Sequence, residues 1–348
     1  MFDMDEPGRK AAQECAELFA PGKAKIAYLP SKDANECLLA GQEREVINAI
    51  WNAKPYRPDG LVTVDDILPE LGKPPVEGLP WWLESLTRIT LGRRYGEVYG
   101  FGAGTGVGKT DFLLQQVEYD TTTLGLKVGL MFLEQKPIET LVRVAGKRAG
   151  KRFHVPDGSW TLEERIEAVK EFNDKVTLYD SFGQTDWDVL VSKIRFMASA
   201  NGIRIFYIDH LTAMADPASE RESLEQIMKD MAGIANELQI IIHFVSHLTA
   251  PDKGPTHEEG GRVSIRHFKG SRSIGFWSYF MFGLERNTQA EDTDTRNTVT
   301  IRVIKDRHTG QSTGTTLFLG YDRETGRLFE REGEHENPFV DEEEYVPF

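Results

Sequence analysis

Residues 97–118 constrain the fold of this chain more than any other stretch. A short apolar run, Val98 to Phe101, empties into a glycine loop ending in Gly108-Lys109-Thr110, and a helix-like segment, Asp111 to Glu118, follows. Strand, bare-backbone loop and helix in that order form the layout of a phosphate-binding P-loop. Backbone N–H groups wrap the phosphates, the lysine ammonium reaches the β- and γ-phosphates, and the Thr hydroxyl ligates Mg²⁺. The loop residues are Ala103, Gly104, Thr105, Gly106, Val107, Gly108, Lys109 and Thr110. Ala103 stands where the pattern carries glycine. Alanine costs little there if φ stays negative, and Gly104, Gly106 and Gly108 remain for close phosphate approach. The expected ligand is Mg²⁺ with ATP or another NTP or dNTP.

At 348 residues the chain is long enough for two domains, or for one large domain with an appendage. No apolar run approaches about 18 residues, so no membrane span is expected. Met1-Phe-Asp-Met-Asp-Glu6 is too acidic and short for a signal peptide. Cys15 and Cys37 have neither zinc-ligand spacing nor disulfide density, which points to a cytoplasmic protein with no metal beyond Mg²⁺. The net charge of −14 argues against a surface that coats nucleic acid all over, but not against a few local loops gripping one strand. Seven acids, Glu332, Glu334, Glu336, Asp341, Glu342, Glu343 and Glu344, lie near the C-terminus, so 331–348 is expected to be a disordered acidic tail.

Four regions follow from the pattern. Residues 1–53 read as part of a small α/β domain, with a strand end at Phe2-Asp3, a helix over 8–19 and a strand from Lys25 to Pro30. Residues 54–84 hold six prolines (55, 58, 69, 74, 75 and 80) and read as a linker with one short helix, Val64 to Leu71. From 85 to 330, apolar runs and helical segments alternate, as in a mostly parallel α/β sheet flanked by helices. The expected strands are Glu97–Phe101, Val128–Phe132, Val176–Tyr179, Ile203–Ile208, Ile240–Val245, Tyr279–Leu284, Val299–Val303 and Thr316–Leu319. The expected helices are Asp111–Tyr119, Ile138–Ala149, Leu162–Phe172, Asp186–Ala200 and Leu224–Glu237.

Three apolar strands end in polar residues that point to one crevice above the sheet. Asp209 closes the run from Arg204 and fits a Walker B acid holding Mg²⁺ beside Thr110; a helix cap or turn residue is the plainer alternative. Glu134 closes the run from Gly129. On pattern alone it is either a base that activates water or a solvated strand end. His247 closes the run from Ile240 and fits either a reporter of the γ-phosphate or a surface residue. His243, inside that strand, reads as a packed core histidine.

In these segments the chain resembles the helicase half of the bifunctional primase–helicases of short-tailed phages, and more distantly mitochondrial twinkle and the DnaB-type replicative helicases. The matching segments are 3–11, Ser31 to Cys37, Gly104 to Thr110, Val128 to Glu134, Leu178 to Phe182, Ile208 to Leu211, Leu284 to Asn287 and Lys305 to Gly310. The resemblance implies RecA-like domains in a hexamer or heptamer ring, with nucleotide between subunits, moving 5′→3′ on single-stranded DNA. It implies that Glu134 is the catalytic glutamate, Asp209 the Walker B acid and His247 the γ-phosphate sensor. It makes Arg307 the arginine finger donated by a neighbour, Lys305 its basic partner and Arg286 the arginine near the base. It also makes the segment from His247 to Gly261 a DNA pore loop, with Lys253 at a basic DNA-contacting position. Thr249 and Pro255 stand where relatives are often basic. Lys269 and Arg272 are candidate phosphate contacts, with solvated turn charges the alternative, and 216–223 is a candidate second pore loop.

The pattern Asp3-x-Asp5-x-x-Gly8 resembles the metal-binding aspartates of a Toprim primase fold. Without the upstream glutamate and zinc module that the family uses for priming, a structural remnant is expected. The resemblance also implies that the acidic tail, with its terminal aromatic Phe348, contacts replication proteins, which makes a replicative polymerase an expected partner; a tail that only aids solubility is the alternative. A RecA-like assembly protein that binds DNA under nucleotide control without unwinding accounts for the same motifs.

Overall fold

The computed structural model describes residues 2–58, 61–72, 77–181, 183, 185–251 and 253–331. The acidic tail from Glu332, Pro74-Pro75 of the expected linker, Phe182, and Asp252 of the expected pore loop lie outside the described residues. The chain forms two units, Met1–Pro75 and Val76–Phe348.

The first unit contains α1 (Glu6–Glu17), β1 (Lys25–Ile26), α2 (Ala34–Leu39), α3 (Glu43–Trp51), β2 (Lys54–Pro55) and α4 (Val64–Leu71). Asp5 caps α1 by accepting from the Gly8 N–H at 3.0 Å, and Asp33 caps α2 by accepting from Glu36 N–H at 2.8 Å. Gly8 is needed because a Cβ there would stand 2.3 Å from the Asp3 carbonyl oxygen. Local capping thus accounts for the Asp5-x-x-Gly8 spacing. The expected strand at Lys25 is only two residues long and pairs antiparallel with β2, and Phe2-Asp3 forms no strand. Val64, Ile67, Leu68 and Leu71 of α4 are exposed.

The second unit begins before the expected boundary. Leu79 pairs with Arg93, and Trp81 and Leu83 are buried, so the chain around Pro80 belongs to the core. After α5 (Glu84–Thr90) come β3 (Val98–Ala103), α6 (Lys109–Thr122), β4 (Val128–Phe132), α7 (Pro137–Ala149), α8 (Leu162–Lys170), β5 (Val176–Leu178) and α9 (Trp187–Ala200). They are followed by β6 (Ile205–Asp209), α10 (Glu220–Leu238), β7 (Ile241–His247), α11 (Ser271–Trp277), β8 (Phe280–Glu285), α12 (Thr293–Asn297), β9 (Val299–Asp306), β10 (Thr316–Tyr321) and β11 (Leu328–Glu330). All eight expected strands form. Three of the central ones run further than expected: Ala103, Asp209 and His247 are strand residues.

The strands lie in one sheet in the order β11-β10-β9-β8-β3-β7-β6-β4-β5. β8, β3, β7, β6, β4 and β5 are mutually parallel, so their C-terminal ends share one edge. Burial on both faces explains the unbroken apolar runs in β6 and β7. β9 runs back antiparallel to β8, pairing Asp306 with Phe280, the first residue of β8.

A fully buried polar cluster lies within this core. Arg93 is bidentate to Asp120 at 2.6 and 2.9 Å, Tyr207 donates to the same carboxylate at 2.6 Å, and the Arg93 guanidinium lies 5.0 Å from the Trp81 ring centre. His243 stacks on Tyr207 at 4.4 Å, is fully buried, and has its pKa pushed well below the usual value by burial and then by Arg93. It is a core histidine, as its place inside the strand suggests.

Candidate functional site

The glycine loop leaves β3 at the shared C-terminal edge and feeds α6. Ala103 closes β3 in extended backbone, where glycine is not required. Gly106 and Gly108 have φ of 72° and 112°, the left-handed region that side chains disfavour, and Gly108 caps α6. The Lys109 ammonium folds back to donate to the carbonyls of Ala103 at 3.1 Å and Gly104 at 3.4 Å. Burial lowers its pKa, while Asp209, Glu134 and Glu258 act in the opposite direction.

Thr110 donates to Asp209 Oδ2 at 2.9 Å across the gap between α6 and the end of β6. Asp209 is 3 % exposed, and burial raises its pKa. Hydroxyl and carboxylate oxygens side by side at a helix start are hard donors suited to Mg²⁺.

Glu134 lies two residues beyond β4, exposed to solvent. Its Oε1 hydrogen-bonds His247 Nε2 at 3.2 Å, and His210 Nε2 lies 2.9 Å from the same oxygen. His210 Nδ1 is tied to Thr212 Oγ1 at 2.6 Å, which fixes its ring, and burial, then His247, lower its pKa to about 4. The fold therefore brings Ala103–Thr110, Asp209, Glu134 and His247 into one crevice.

Two residues join them that the sequence did not single out. His210 sat unremarked in the run Ile208–Leu211, and nothing in its spacing shows that its ring turns toward Glu134. Glu258 sat within the expected pore loop. Its Oε1 accepts from the Thr105 N–H at 3.1 Å.

Arg286 lies one residue past β8 at the same edge, with Nε donating to the Arg296 carbonyl at 2.7 Å. Burial, with the charges of Arg323 and Arg296, lowers its pKa. Lys253 is exposed in the loop after β7; Lys269 pairs with Glu220 at 3.3 Å, and Arg272 is exposed near the start of α11.

Lys305 and Arg307 are elsewhere. The pairing of Asp306 with Phe280, which itself pairs with Tyr99, puts them at the edge where the parallel strands begin. The five steps from Val98 to Ala103 separate the edges by about 17 Å. Arg307 is exposed; its guanidinium lies 5.1 Å from the Tyr279 ring centre and donates to the Phe276 carbonyl at 3.4 Å. Lys305 donates to the carbonyls of Gly275 at 2.6 Å and Ser278 at 2.5 Å, and burial, with Arg307 nearby, lowers its pKa to about 8.

Residues 78–327 match the family described as the DnaB-like helicase C terminal domain. The chain is 33% identical over 345 residues to the DNA helicase/primase of Enterobacteria phage T3, an alignment covering 94% of this chain and 60% of that protein. It is 24% identical over 363 residues to the Twinkle homolog protein, chloroplastic/mitochondrial, of Arabidopsis thaliana, covering 93% of this chain and 48% of that one. The chain thus spans about half to three fifths of the length of these relatives. Among solved structures it is similar to an isolated ATPase domain, with a TM-score of 0.65 and 22% identity over 79% of this chain and all of that one. It is also similar to a DnaB-like replicative helicase characterised with its primase interactions, with a TM-score of 0.64 and 21% identity over 86% of this chain and 74% of that one. Both have the same α/β fold with a mostly parallel central sheet.

Proposed function

This chain belongs to the DnaB-like helicase C-terminal domain family, and from that membership we propose that it is the motor of a ring-forming replicative DNA helicase. It hydrolyses NTP and moves 5′→3′ on single-stranded DNA in the cytoplasm. Among the described residues no helix is long and apolar enough to cross a membrane.

The N–H groups of the loop and Lys109 bind the phosphates, with Lys109 exchanging its bonds to Ala103 and Gly104 for phosphate oxygens. Thr110 and Asp209 would hold Mg²⁺, which would supply positive charge to offset that of the phosphates. Glu134 takes a proton from the attacking water. His247 is bonded to its Oε1 and His210 lies beside the same oxygen, leaving Oε2 for that proton. His247 joins the base to the γ-phosphate and to the loop that carries Lys253, and Arg286 lies toward the base. Lys253, Lys269 and Arg272 contact the DNA strand.

The observation that carries the ring is the place of Arg307. A side chain at the opposite edge of its own sheet cannot reach its own loop, yet it is exposed and held ready. It serves a neighbour's nucleotide, stabilising charge on the transferring phosphoryl group, with Lys305 beside it. The exposed apolar residues of α4 suit docking on a neighbouring subunit. The first unit is Toprim-like, and the acidic tail recruits the replicative polymerase.

Strand displacement on a forked duplex with a free 5′ arm tests this reading. Nucleotide-dependent unwinding by closed rings supports it. DNA binding without displacement would leave a nucleotide-switched assembly protein.

A further inference from the structure

We propose that Glu258 is an internal competitor for the phosphate loop, seated on it when no nucleotide is bound and displaced by the phosphates. This rests on the reading of residues 103–110 as the nucleotide site.

Backbone N–H groups at the start of a helix make an anion site, and the chain supplies an anion of its own. Glu258 Oε1 accepts from the Thr105 N–H at 3.1 Å, from 153 residues away. The approach is close enough to exclude any side chain from Gly104: a Cβ there would stand 2.9 Å from that oxygen and 2.8 Å from His257 Cβ. Glu258 also acts on the Lys109 ammonium, as Asp209 and Glu134 do. A carboxylate that holds a loop N–H, with its charge felt by the loop lysine, stands where incoming phosphates need that N–H.

The backbone behind Glu258 is firmly built. Thr288 donates to the Glu258 carbonyl through its N–H at 2.9 Å and its hydroxyl at 3.0 Å. His257 is buried and hydrogen-bonds the Thr249 carbonyl at 3.0 Å, and the Gly261 N–H closes the turn on the Thr256 carbonyl at 2.8 Å. The turn is continuous with the segment carrying Lys253, the candidate DNA contact. Phosphate binding therefore moves a side chain of the same segment that DNA engages at Lys253. By linkage, if DNA favours the released position it raises nucleotide affinity by the same factor that nucleotide raises DNA affinity.

The test is the equilibrium binding of a Mg²⁺-bound non-hydrolysable ATP analogue to the full chain, with and without a single-stranded oligothymidylate. Glu258→Gln keeps the shape and removes the charge. It should bind the analogue roughly fivefold or more tightly without DNA, and the gain in affinity that DNA gives the wild type should shrink by the same factor. Glu258→Asp, which withdraws the carboxylate by one methylene, should move in the same direction by less. Wild-type affinity and a wild-type DNA effect in Glu258→Gln, beside lost binding in Lys109→Ala, would overturn the competitor role alone. Undiminished binding in Lys109→Ala would overturn the nucleotide-site reading and the competitor with it.

Discussion

His247 Nε2 stands 3.2 Å from Glu134 Oε1, although 113 positions separate the two residues in the chain. The proposed γ-phosphate sensor and the proposed base are thus in direct contact. In the proposed mechanism, loss of the γ-phosphate would reach the base and the end of β7 through one hydrogen bond, and the loop toward Lys253 starts at that end.

Glu134→Gln keeps the shape of the base and removes its proton affinity. Nucleotide binding should be spared, and turnover should fall about 100-fold or more. Single-turnover hydrolysis at the wild-type rate would remove Glu134 from the chemistry.

The two histidines should separate by phenotype. His247→Ala should lower DNA-stimulated hydrolysis more than basal hydrolysis, because its work is coupling. His210→Ala should lower both alike, since it only orients Glu134, with KM unchanged. A comparison of kcat with and without single-stranded DNA reads the difference; equal loss of both rates in His247→Ala would make it an orienting residue as well.

The grouping of the candidate residues in one crevice was largely legible in the sequence because strand-end residues announce themselves. An apolar run closing on Asp209 or His247 has few places to put its polar end except the carboxyl edge of a parallel sheet. Side chains whose role depends on direction were not legible: His210 and Glu258 each follow from a contact made across the tertiary fold. The early start of the second unit was hidden by prolines, which mark a break in local structure but do not report that Trp81 is buried. β11, α11 and α12 are too short to give a periodic signal. Arg307 emerged by resemblance, and the antiparallel return of β9 is what puts it at the edge of the sheet away from its own loop.

Asp120→Ala tests the buried cluster behind the loop. It leaves the Arg93 guanidinium desolvated and without its counter-charge, so the domain should lose about 3–5 kcal/mol of stability. Denaturant unfolding measures this; a loss under about 1 kcal/mol would show that the pair is dispensable to the fold.

Asp306 builds the turn on which Arg307 is carried. Burial pushes its pKa up, but donation from Thr309 and Ser312 outweighs that and holds the group at about 2. Its folded value is below the ordinary value of 3.8, so its contribution is complete above about pH 4 and is lost as pH falls toward 2. Asp306→Asn should therefore lower stability at neutral pH and slow hydrolysis without weakening nucleotide binding, and its deficit against wild type should narrow on acidification. A deficit that stays constant from pH 6 to about pH 2 would contradict the assignment.

The most direct test of the ring motor is subunit mixing. Arg307→Ala alone should bind nucleotide through its own loop and hydrolyse it on the order of 10³-fold more slowly, and Lys109→Ala should be inactive. In mixed rings, some interfaces join the intact loop of an Arg307→Ala subunit to the intact finger of a Lys109→Ala subunit. Hydrolysis measured across the mixing ratio should rise from near zero at both ends to a maximum between them. A flat, inactive profile in rings shown by native mass measurement to be mixed would mean that Arg307 does not act across an interface.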